Sequence, residues 1–232
     1  MAFSYSPRII SEGLVLYLDA ANSYSYVSGS TSWNDISRGG NNGTLVNGPT
    51  FSSANLGSIV FDGSNDYATF PTGFLSTLTA CTVSFWVYWS DNQQWTRVID
   101  FGTGVTVNMF FTPKNSVNNN PRFAITTGGN PSEQIITSTN AMLLNTWYNF
   151  SITLNGATGT MYRNSVVDAT NSSMTLTPSS LGNTNQNYLG RSQYSDPYFQ
   201  GQISNIQIYN RALSAQEVLQ NYNATKTRFG LT

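Results

Sequence analysis

Apolar side chains occur along this chain in short runs of strand length, separated by clusters of Gly, Asn, Pro, Asp and Ser. Such runs between turn residues, with little 3.6-residue periodicity, indicate β-strands. The run 82–89 carries aromatic side chains on both of its faces, which predicts a central strand of a sandwich. We predict strands at 13–19, 58–62, 66–70, 82–89, 95–101, 105–111, 122–127, 134–137, 146–154, 160–163, 188–190 and 201–209.

Two segments depart from this strand pattern. Residues 22–56 are rich in Ser, Gly and Asn, and we predict a long structured loop there because strands resume directly afterwards. Near the C-terminus, Ser214 and Glu217 have the spacing of a capping box, in which each side chain bonds the other residue's backbone N–H. This motif predicts one short helix at about 214–223.

The strand pattern predicts an all-β sandwich, and a chain of 232 residues is of ordinary size for one such domain. We divide the chain into an N-terminal arm, 1–12, and a single domain, 13–232. The turn residues at 63–65 are expected to join strands 58–62 and 66–70 as a hairpin.

The composition excludes several classes of function. Charged residues make up 9% of the chain and the formal net charge is −1, whereas ordinary soluble domains have about 25% charged residues. Because there is no histidine, a Ser-His-Asp triad and an imidazole metal site are excluded. Ten basic residues spread along the chain form no basic stripe, which argues against nucleic-acid binding. No apolar run approaches membrane-spanning length, so we expect no membrane insertion.

Two observations bear on the compartment in which the protein works. The lone Cys81 has no cysteine to pair with and is expected to be a buried, inert thiol. Residues 1–8 lack the basic start and apolar stretch of a signal peptide, so we expect synthesis in the cytoplasm without export. The surface predicted from so many Asn, Ser and Thr residues is nevertheless typical of extracellular and virion β-proteins.

Three segments carry a family resemblance. They are GLVLYLDA at 13–20, the stretch from WNDIS at 33–37 to SIVFDGSNDY at 58–67, and GQISNIQIYNRALS at 201–214. Together they resemble the laminin-G-like branch of the concanavalin A-like lectin/glucanase superfamily. The resemblance covers about residues 10–225 and implies a jelly roll, a two-sheet antiparallel sandwich, with one short C-terminal helix.

The opening YSPRII, at 5–10, is similar to stand-alone laminin-G-like proteins of tailed bacteriophages. This resemblance implies a non-enzymatic virion protein on a phage head, fibre or tail, made in the host cytoplasm and working outside the cell. Its expected partners are other virion structural proteins, further copies of itself and cell-surface glycans. The alternative is a cellular carbohydrate-binding module, for which a signal peptide or a fused catalytic domain would be expected.

Some members of this superfamily are retaining glycoside hydrolases, which need two carboxyl groups about 5–5.5 Å apart. Strand alternation supplies that spacing through residues two or four apart. The three glutamates, Glu12, Glu133 and Glu217, have no carboxylate at either position, and a turn separates Asp62 from Asp66. We therefore expect no enzymatic activity, and a degenerate glycoside hydrolase is the least favoured alternative.

Glycan sites combine exposed aromatic rings with a few placed polar groups, and aromatic side chains are also enriched in protein interfaces. Tyr194 and Tyr198, within QYSDPY, are the preferred contact residues for a sugar or a partner. Trp33 has a structural alternative, that of fastening the long loop to the sandwich edge, and Trp86 and Trp147 are assigned to the core. The full set of candidate binding residues is Tyr24, Tyr26, Trp33, Trp95, Tyr194 and Tyr198.

The family resemblance also implies a structural Ca²⁺. Carried over to this sequence, its oxygen ligands are Asp19, the carbonyl of Gly63 and Asn205. Many relatives have an acidic residue in the last strand, where this chain has Ser204 and Asn205. Because fewer charged ligands weaken Ca²⁺ binding, the alternative is that the aspartates only cap turns.

Overall fold

The computed structural model describes residues 7–232, and within them most of the chain is β-strand. The first half of the predicted N-terminal arm, residues 1–6, lies outside the described residues. The strands are β1 (Leu14–Asp19), β2 (Ser32–Trp33), β3 (Gly43–Val46), β4 (Thr50–Ser52), β5 (Ser58–Asp62), β6 (Tyr67–Thr69), β7 (Cys81–Trp89), β8 (Ile99–Gly104), β9 (Val107–Thr112), β10 (Arg122–Thr126), β11 (Gln134–Thr137), β12 (Trp147–Asn155), β13 (Thr158–Arg163), β14 (Val166–Asn171), β15 (Gln186–Leu189) and β16 (Gln200–Tyr209).

These strands form two antiparallel sheets that pack face to face. Sheet A has the order β14-β13-β12-β7-β16-β5-β4, and β1 pairs with β16 alongside β5. Sheet B has the order β11-β10-β9-β8-β15-β6-β3-β2. Each sheet also pairs strands that are distant in sequence, such as β7 with β16 and β6 with β15, as in a jelly roll. The predicted all-β antiparallel sandwich is confirmed.

The core lies between the sheets and is dominated by phenylalanine. As predicted, β7 is central, between β12 and β16, and Phe85 points from it into the core. The ring of Phe111, from sheet B, lies 5.0 Å from Phe85 and 4.8 Å from Phe150, both of sheet A, between ring centroids. All three side chains are fully buried. This cluster therefore joins the two sheets directly.

The C-terminal segment covers the outer face of sheet A. Helix α1 (Ala215–Thr225) begins at the predicted capping box, where Ser214 Oγ accepts from the Glu217 N–H. A 3₁₀ turn follows, and its Phe229 stacks on Trp86 with 4.0 Å between ring centroids. Trp86 is buried as predicted, whereas Trp147 is half-buried at the surface, also against Phe229, rather than in the core.

The described part of the N-terminal arm docks on this same helix. The Ile10 N–H donates to Asn221 Oδ1 at 2.8 Å, and the Tyr209 hydroxyl donates to the Ile10 carbonyl at 3.0 Å. The Gln220 side chain reaches the Arg8 carbonyl at 2.8 Å. Within residues 7–232, no helix has the length and apolar character that crossing a bilayer requires.

Two of the predictions about local structure are wrong. Strands β5 and β6 do not form a hairpin, because β5 pairs within sheet A and β6 within sheet B. Asp62 accepts from the Ser64 and Asn65 N–H groups, and this turn carries the chain from one sheet to the other. The long loop at 22–56 contains the short strands β2, β3 and β4.

Cys81 is buried, and burial raises the pKa of its thiol to about 12. A thiol with so high a pKa carries almost no thiolate at neutral pH, so it is a poor nucleophile. This agrees with the expectation of an inert core residue.

Candidate functional site

The outer face of sheet B presents a row of side chains at one level of neighbouring strands. Asp100 on β8 lies opposite Tyr188 on β15 and opposite Phe110 on β9. The residues that follow in β8 and β9, Phe101 and Phe111, belong to the core. Because side chains alternate along a strand, Asp100, Tyr188 and Phe110 point away from the core.

The loop between β15 and β16 folds over this face, and we call residues 191–198 the covering loop. Its Gln193 donates to both carboxylate oxygens of Asp100, from the backbone N–H at 3.0 Å and from Nε2 at 3.1 Å. Gly102 lies below, and a Cβ there would collide with Gln193 Nε2 and the Val107 carbonyl. The Tyr194 hydroxyl donates to the Val105 carbonyl at 2.8 Å. The loop is therefore fastened to the β8–β9 hairpin.

A buried arginine links the covering loop to the sheet. Arg97 is only 3% exposed, and its Nη2 lies 3.0 Å from Asp196 Oδ2 in the loop, while Nε lies 3.6 Å from Asp100 Oδ2. The guanidinium stacks on Phe110, with 3.9 Å from Cζ to the ring centroid. Arg97 Nη1 also donates to the Trp95 carbonyl at 2.6 Å. One cation thus holds strand, loop and Trp95 together.

Burial also sets the charge of the acids on this face. Desolvation raises the pKa of Asp100 to about 7, although Arg97 and the Gln193 hydrogen bonds favour its ionised form. Desolvation likewise raises the pKa of Glu133, against the opposing effect of Arg122 and Arg97. A carboxyl group with a pKa of about 7 is only partly ionised at neutral pH. Asp100 therefore contributes less than a full negative charge to this face.

Two adjacent cavities lie in this surface, and Tyr194 and Asp196 line both of them. The cavity on one side has a volume of about 240 Å³ and is also lined by Trp95, Arg97, Ser116, Asn130 and Glu133. The cavity on the other side has a volume of about 440 Å³ and is also lined by Gln186, Tyr188, Arg191, Gln193 and Tyr198. We call the two together the Tyr194 groove.

Trp95 is held at one end of this groove in a conformation that side-chain-bearing residues seldom adopt. Its φ is +64°, in the left-handed region, and its N–H donates to the Lys114 carbonyl at 2.8 Å. The guanidinium of Arg122 lies 5.4 Å from the Trp95 ring centroid. This unusual backbone explains why β8 begins at Ile99, whereas the apolar pattern predicts a strand from Trp95. Backbone strain of this kind is concentrated at functional sites.

The structure brings together three of the six predicted binding residues. Trp95, Tyr194 and Tyr198 line the Tyr194 groove. Tyr24 is 83% exposed but lies in the β1–β2 loop and lines neither cavity. The expectation for Trp33 is wrong, because its side chain is fully buried in the core. Tyr26 is also buried, and it lines a separate cavity of about 450 Å³ outside the Tyr194 groove. For Trp33 the alternative, fastening the long loop to the sandwich, is the one the structure supports.

Sequence reasoning missed the polar half of the groove, which is formed by Arg97, Arg191 and Asp196 above the buried Asp100. A signal was available in the segment TRVIDF at 96–101. An arginine and an aspartate within an apolar strand are unusual in a chain with 9% charged residues, and buried charges require partners.

The residues expected to bind Ca²⁺ do not form a site. Gly63 follows β5 at the level of Gln200, and Asn205 lies about 16 Å further along β16, at the rise of an extended strand. Asn205 is opposite Asp19. Both carboxylate oxygens of Asp19, however, accept from Arg228 Nη1, at 2.8 and 2.9 Å.

Further hydrogen-bond donors surround the carboxylate of Asp19. Asp19 also accepts from the Tyr17 hydroxyl at 2.8 Å and from the Ala21 N–H at 3.0 Å. The guanidinium of Arg228 thus occupies the place of a cation, and the residues present do not fit a calcium ion. Within residues 7–232 no group of three or more acidic or cysteine side chains is arranged to hold a metal.

Comparisons with solved structures show the same architecture. Domain 4 of AbnA, a GH43 extracellular arabinanase from Geobacillus stearothermophilus solved with arabinotriose, superposes with a TM-score of 0.75 at 16% identity, covering 92% of this chain and 100% of that domain. The binding domain of botulinum neurotoxin serotype D/C gives 0.68 at 13% identity, over 92% of this chain and 52% of that one. Trypanosoma rangeli sialidase gives 0.67 at 16% identity, over 93% of this chain.

The lengths matched differ among these proteins. This chain spans the whole arabinanase domain, about half of the toxin binding domain and 33% of the sialidase. Likeness at such low identity shows the fold alone. Among curated proteins, none matches the chain in sequence.

The sequence itself matches a protein family. The family is Laminin G 3, described as the concanavalin A-like lectin/glucanases superfamily, and the match covers residues 62–219. It includes most of the jelly roll, the covering loop and the start of α1. The chain therefore belongs to this laminin-G-like family of the concanavalin A-like lectin/glucanase superfamily.

Proposed function

We propose that this protein binds glycans in the Tyr194 groove and does not hydrolyse them. The observation that carries the proposal is the groove itself. Two adjoining cavities on one face of the sandwich are lined by Trp95, Tyr194 and Tyr198 beside fixed polar groups. Structures with the same fold include an arabinanase domain in complex with arabinotriose and a toxin binding domain in complex with SialylT.

The groove matches the two-sided chemistry of a sugar. Aromatic rings pack against the apolar C–H face of a pyranose or furanose, while its hydroxyl groups need hydrogen-bond partners in fixed positions. Asp196 is held by Arg97 and by the Ser192 hydroxyl, at 3.0 and 2.9 Å, so its free lone pairs have a defined direction. Asn130 and Gln186 add amide groups, one on each side.

Among the described residues, the groove lacks the pair of free carboxyl groups that hydrolysis needs. A retaining glycosidase needs an ionised nucleophile and a protonated acid, both facing the sugar. Glu133 lines the smaller cavity. Asp100, however, is fully buried beneath Gln193, and Asp196 is paired with Arg97. A carboxylate engaged in an ion pair is a weaker nucleophile, and a covered acid cannot reach a glycosidic oxygen. We therefore propose a binding role.

Replacing Tyr194 with alanine should weaken glycan binding about tenfold, or about 1.4 kcal/mol. The ring lines both cavities, so its loss opens the centre of the groove, where truncations have their largest effects. A glycan array identifies the ligand, and isothermal titration of the best binder measures the affinity. Trp95→Ala should cause a loss of similar size at one end of the groove.

Tyr24→Ala is the matched control, because this tyrosine is 83% exposed and lies outside the groove. Its affinity should equal that of the unmodified protein. If Tyr194→Ala and Trp95→Ala both bind like the control while remaining folded, the groove is not the binding site.

We further propose that glycan binding serves a phage particle. The similarity of YSPRII to phage laminin-G-like proteins supports this context, and so does the scarcity of charge, since contacts between neutral polar surfaces depend little on salt. Mass spectrometry of purified virions from the source phage should detect the chain at a stoichiometric level. Its absence from intact particles would leave the cellular carbohydrate-binding module as the better explanation.

A further inference from the structure

One arginine in the groove has no acidic partner. Arg191 opens the covering loop, and no carboxylate among residues 7–232 lies within 4 Å of its guanidinium. By contrast, Arg97, the buried arginine of the groove, is paired with two aspartates. Arg191 lines the larger cavity, of about 440 Å³. A fixed positive charge is therefore open to a ligand there.

Aromatic side chains hold this guanidinium in position. Its Cζ lies 4.9 Å from the ring centroid of Tyr67 and 4.8 Å from that of Tyr188. The two rings meet edge to face, with 5.7 Å between centroids, and Tyr198 packs on Tyr67 at 6.4 Å. Stacking on two rings orders the flat face of a guanidinium and leaves its N–H edge free to donate.

The charge around Arg191 favours an anion. The nearest acid that lines the same cavity, Asp196, is already neutralised by Arg97 at 3.0 Å. Asp100 is buried below the loop and bonded to Gln193. Arg97, the other arginine that lines the groove, is itself paired with these two aspartates. Within the part of the chain that the structure describes, Arg191 is therefore the unpaired positive charge of the larger cavity.

We infer that the larger cavity of the Tyr194 groove takes an acidic sugar, whose carboxylate is bound by Arg191. A guanidinium edge matches a carboxylate with two parallel N–H···O bonds. Tyr188, Tyr198 and Tyr194 would surround the apolar ring of the sugar, and Gln186 lies beside its hydroxyl groups. This inference rests on the proposed function and makes it specific for glycans that contain a sialic or uronic acid.

The test compares each acid with a neutral form of the same sugar. The probes are sialyllactose, its methyl ester, lactose and a sulfated lactose, together with trigalacturonic acid and its methyl ester. Binding is measured by titration in low salt and in 0.5 M salt. The unmodified protein should bind at least one acid about tenfold or more tightly than its ester, and high salt should reduce that preference. Binding of sialyllactose indicates a site for sialic acid, and binding of trigalacturonic acid indicates a site for uronic acid.

Arg191→Gln should abolish the preference for the acid while leaving the weaker binding of the ester. Arg38→Gln is the matched control, since it removes the same charge from an exposed loop outside the groove, and it should keep the full preference. Arg191→Lys should restore part of the preference, because it keeps the charge but not the two parallel hydrogen bonds.

Three outcomes would overturn the inference, and they separate it from the proposed function. Equal affinity for acid and ester, with Tyr194→Ala still reducing both, shows a groove for neutral glycans and leaves the proposed function standing. Equal binding of a sulfated lactose shows recognition of any anion rather than of a carboxylate. Binding of no glycan at all, acidic or neutral, overturns both.

Discussion

Replacing Arg97 with methionine should lower the free energy of unfolding by about 3–5 kcal/mol, the usual effect of removing one partner from a buried ion pair. Methionine keeps much of the packing against Phe110, but Asp100 loses its nearest cation and Asp196 loses the contact that holds the covering loop. Urea denaturation of both proteins at pH 8 measures the difference. Glycan binding should fall as well, because the loop carries Tyr194.

The free energy of unfolding that Arg97→Met removes should be larger at high pH than at low pH. Burial raises the pKa of Asp100 to about 7 in the folded protein, against about 3.9 in an unfolded chain. The folded state thus retains a proton that the unfolded state releases, so the contribution of Asp100 to stability is complete below about pH 4 and is lost as the pH rises through 7. Removing Arg97 makes the ionised form of Asp100 even less favourable in the folded protein.

The loss of stability caused by Arg97→Met should therefore be largest at pH 8 and smaller at pH 5, where Asp100 is protonated in both proteins. Arg122→Met is the control, because Arg122 lies on the same face, is half-buried and has no carboxylate within 4 Å among residues 7–232. Arg122→Met should lower the free energy of unfolding by less than about 1 kcal/mol. Equal losses at pH 5 and pH 8 for Arg97→Met would contradict the assignment of a buried, titrating Asp100.

Most of the fold can be read from the sequence because its central strands have a strong pattern. In β7 and β16, apolar residues recur for almost the whole length of the strand, and this pattern is typical of strands buried in the centre of a sheet. Edge strands give weaker signals. β14 has no buried residue and β4 is only three residues long, so neither stands out from a polar loop.

The false hairpin has a different cause. The residues at 58–62 and 66–70 alternate correctly and flank a good turn, yet β5 and β6 pair with β16 and β15, far along the chain. Local pattern fixes which residues are extended but not which strands become partners. Pairing is decided by packing between sheets, which only the three-dimensional structure contains.

The candidate site was only half predictable for the same reason. Exposed loop aromatics in QYSDPY point to Tyr194 and Tyr198 directly. Tyr26 and Trp33 have the same loop setting in the sequence, but their segment packs against the sandwich, where the Ile36 N–H donates to the Tyr17 carbonyl of β1 at 2.9 Å. Burial of a loop aromatic depends on such long-range closure, so composition alone does not separate a binding residue from a core residue.

Truncating Phe111 to alanine should destabilise the sandwich by about 3–5 kcal/mol. The ring is fully buried and touches Phe85 and Phe150 of the opposite sheet, so its loss leaves a cavity where the two sheets meet. Urea denaturation measures the loss. Phe111→Leu, which refills part of the space, should lose about 1–1.5 kcal/mol, and the exposed Tyr24→Ala should change stability by less than about 0.5 kcal/mol. A loss below about 1 kcal/mol for Phe111→Ala would show that this cluster does not join the sheets.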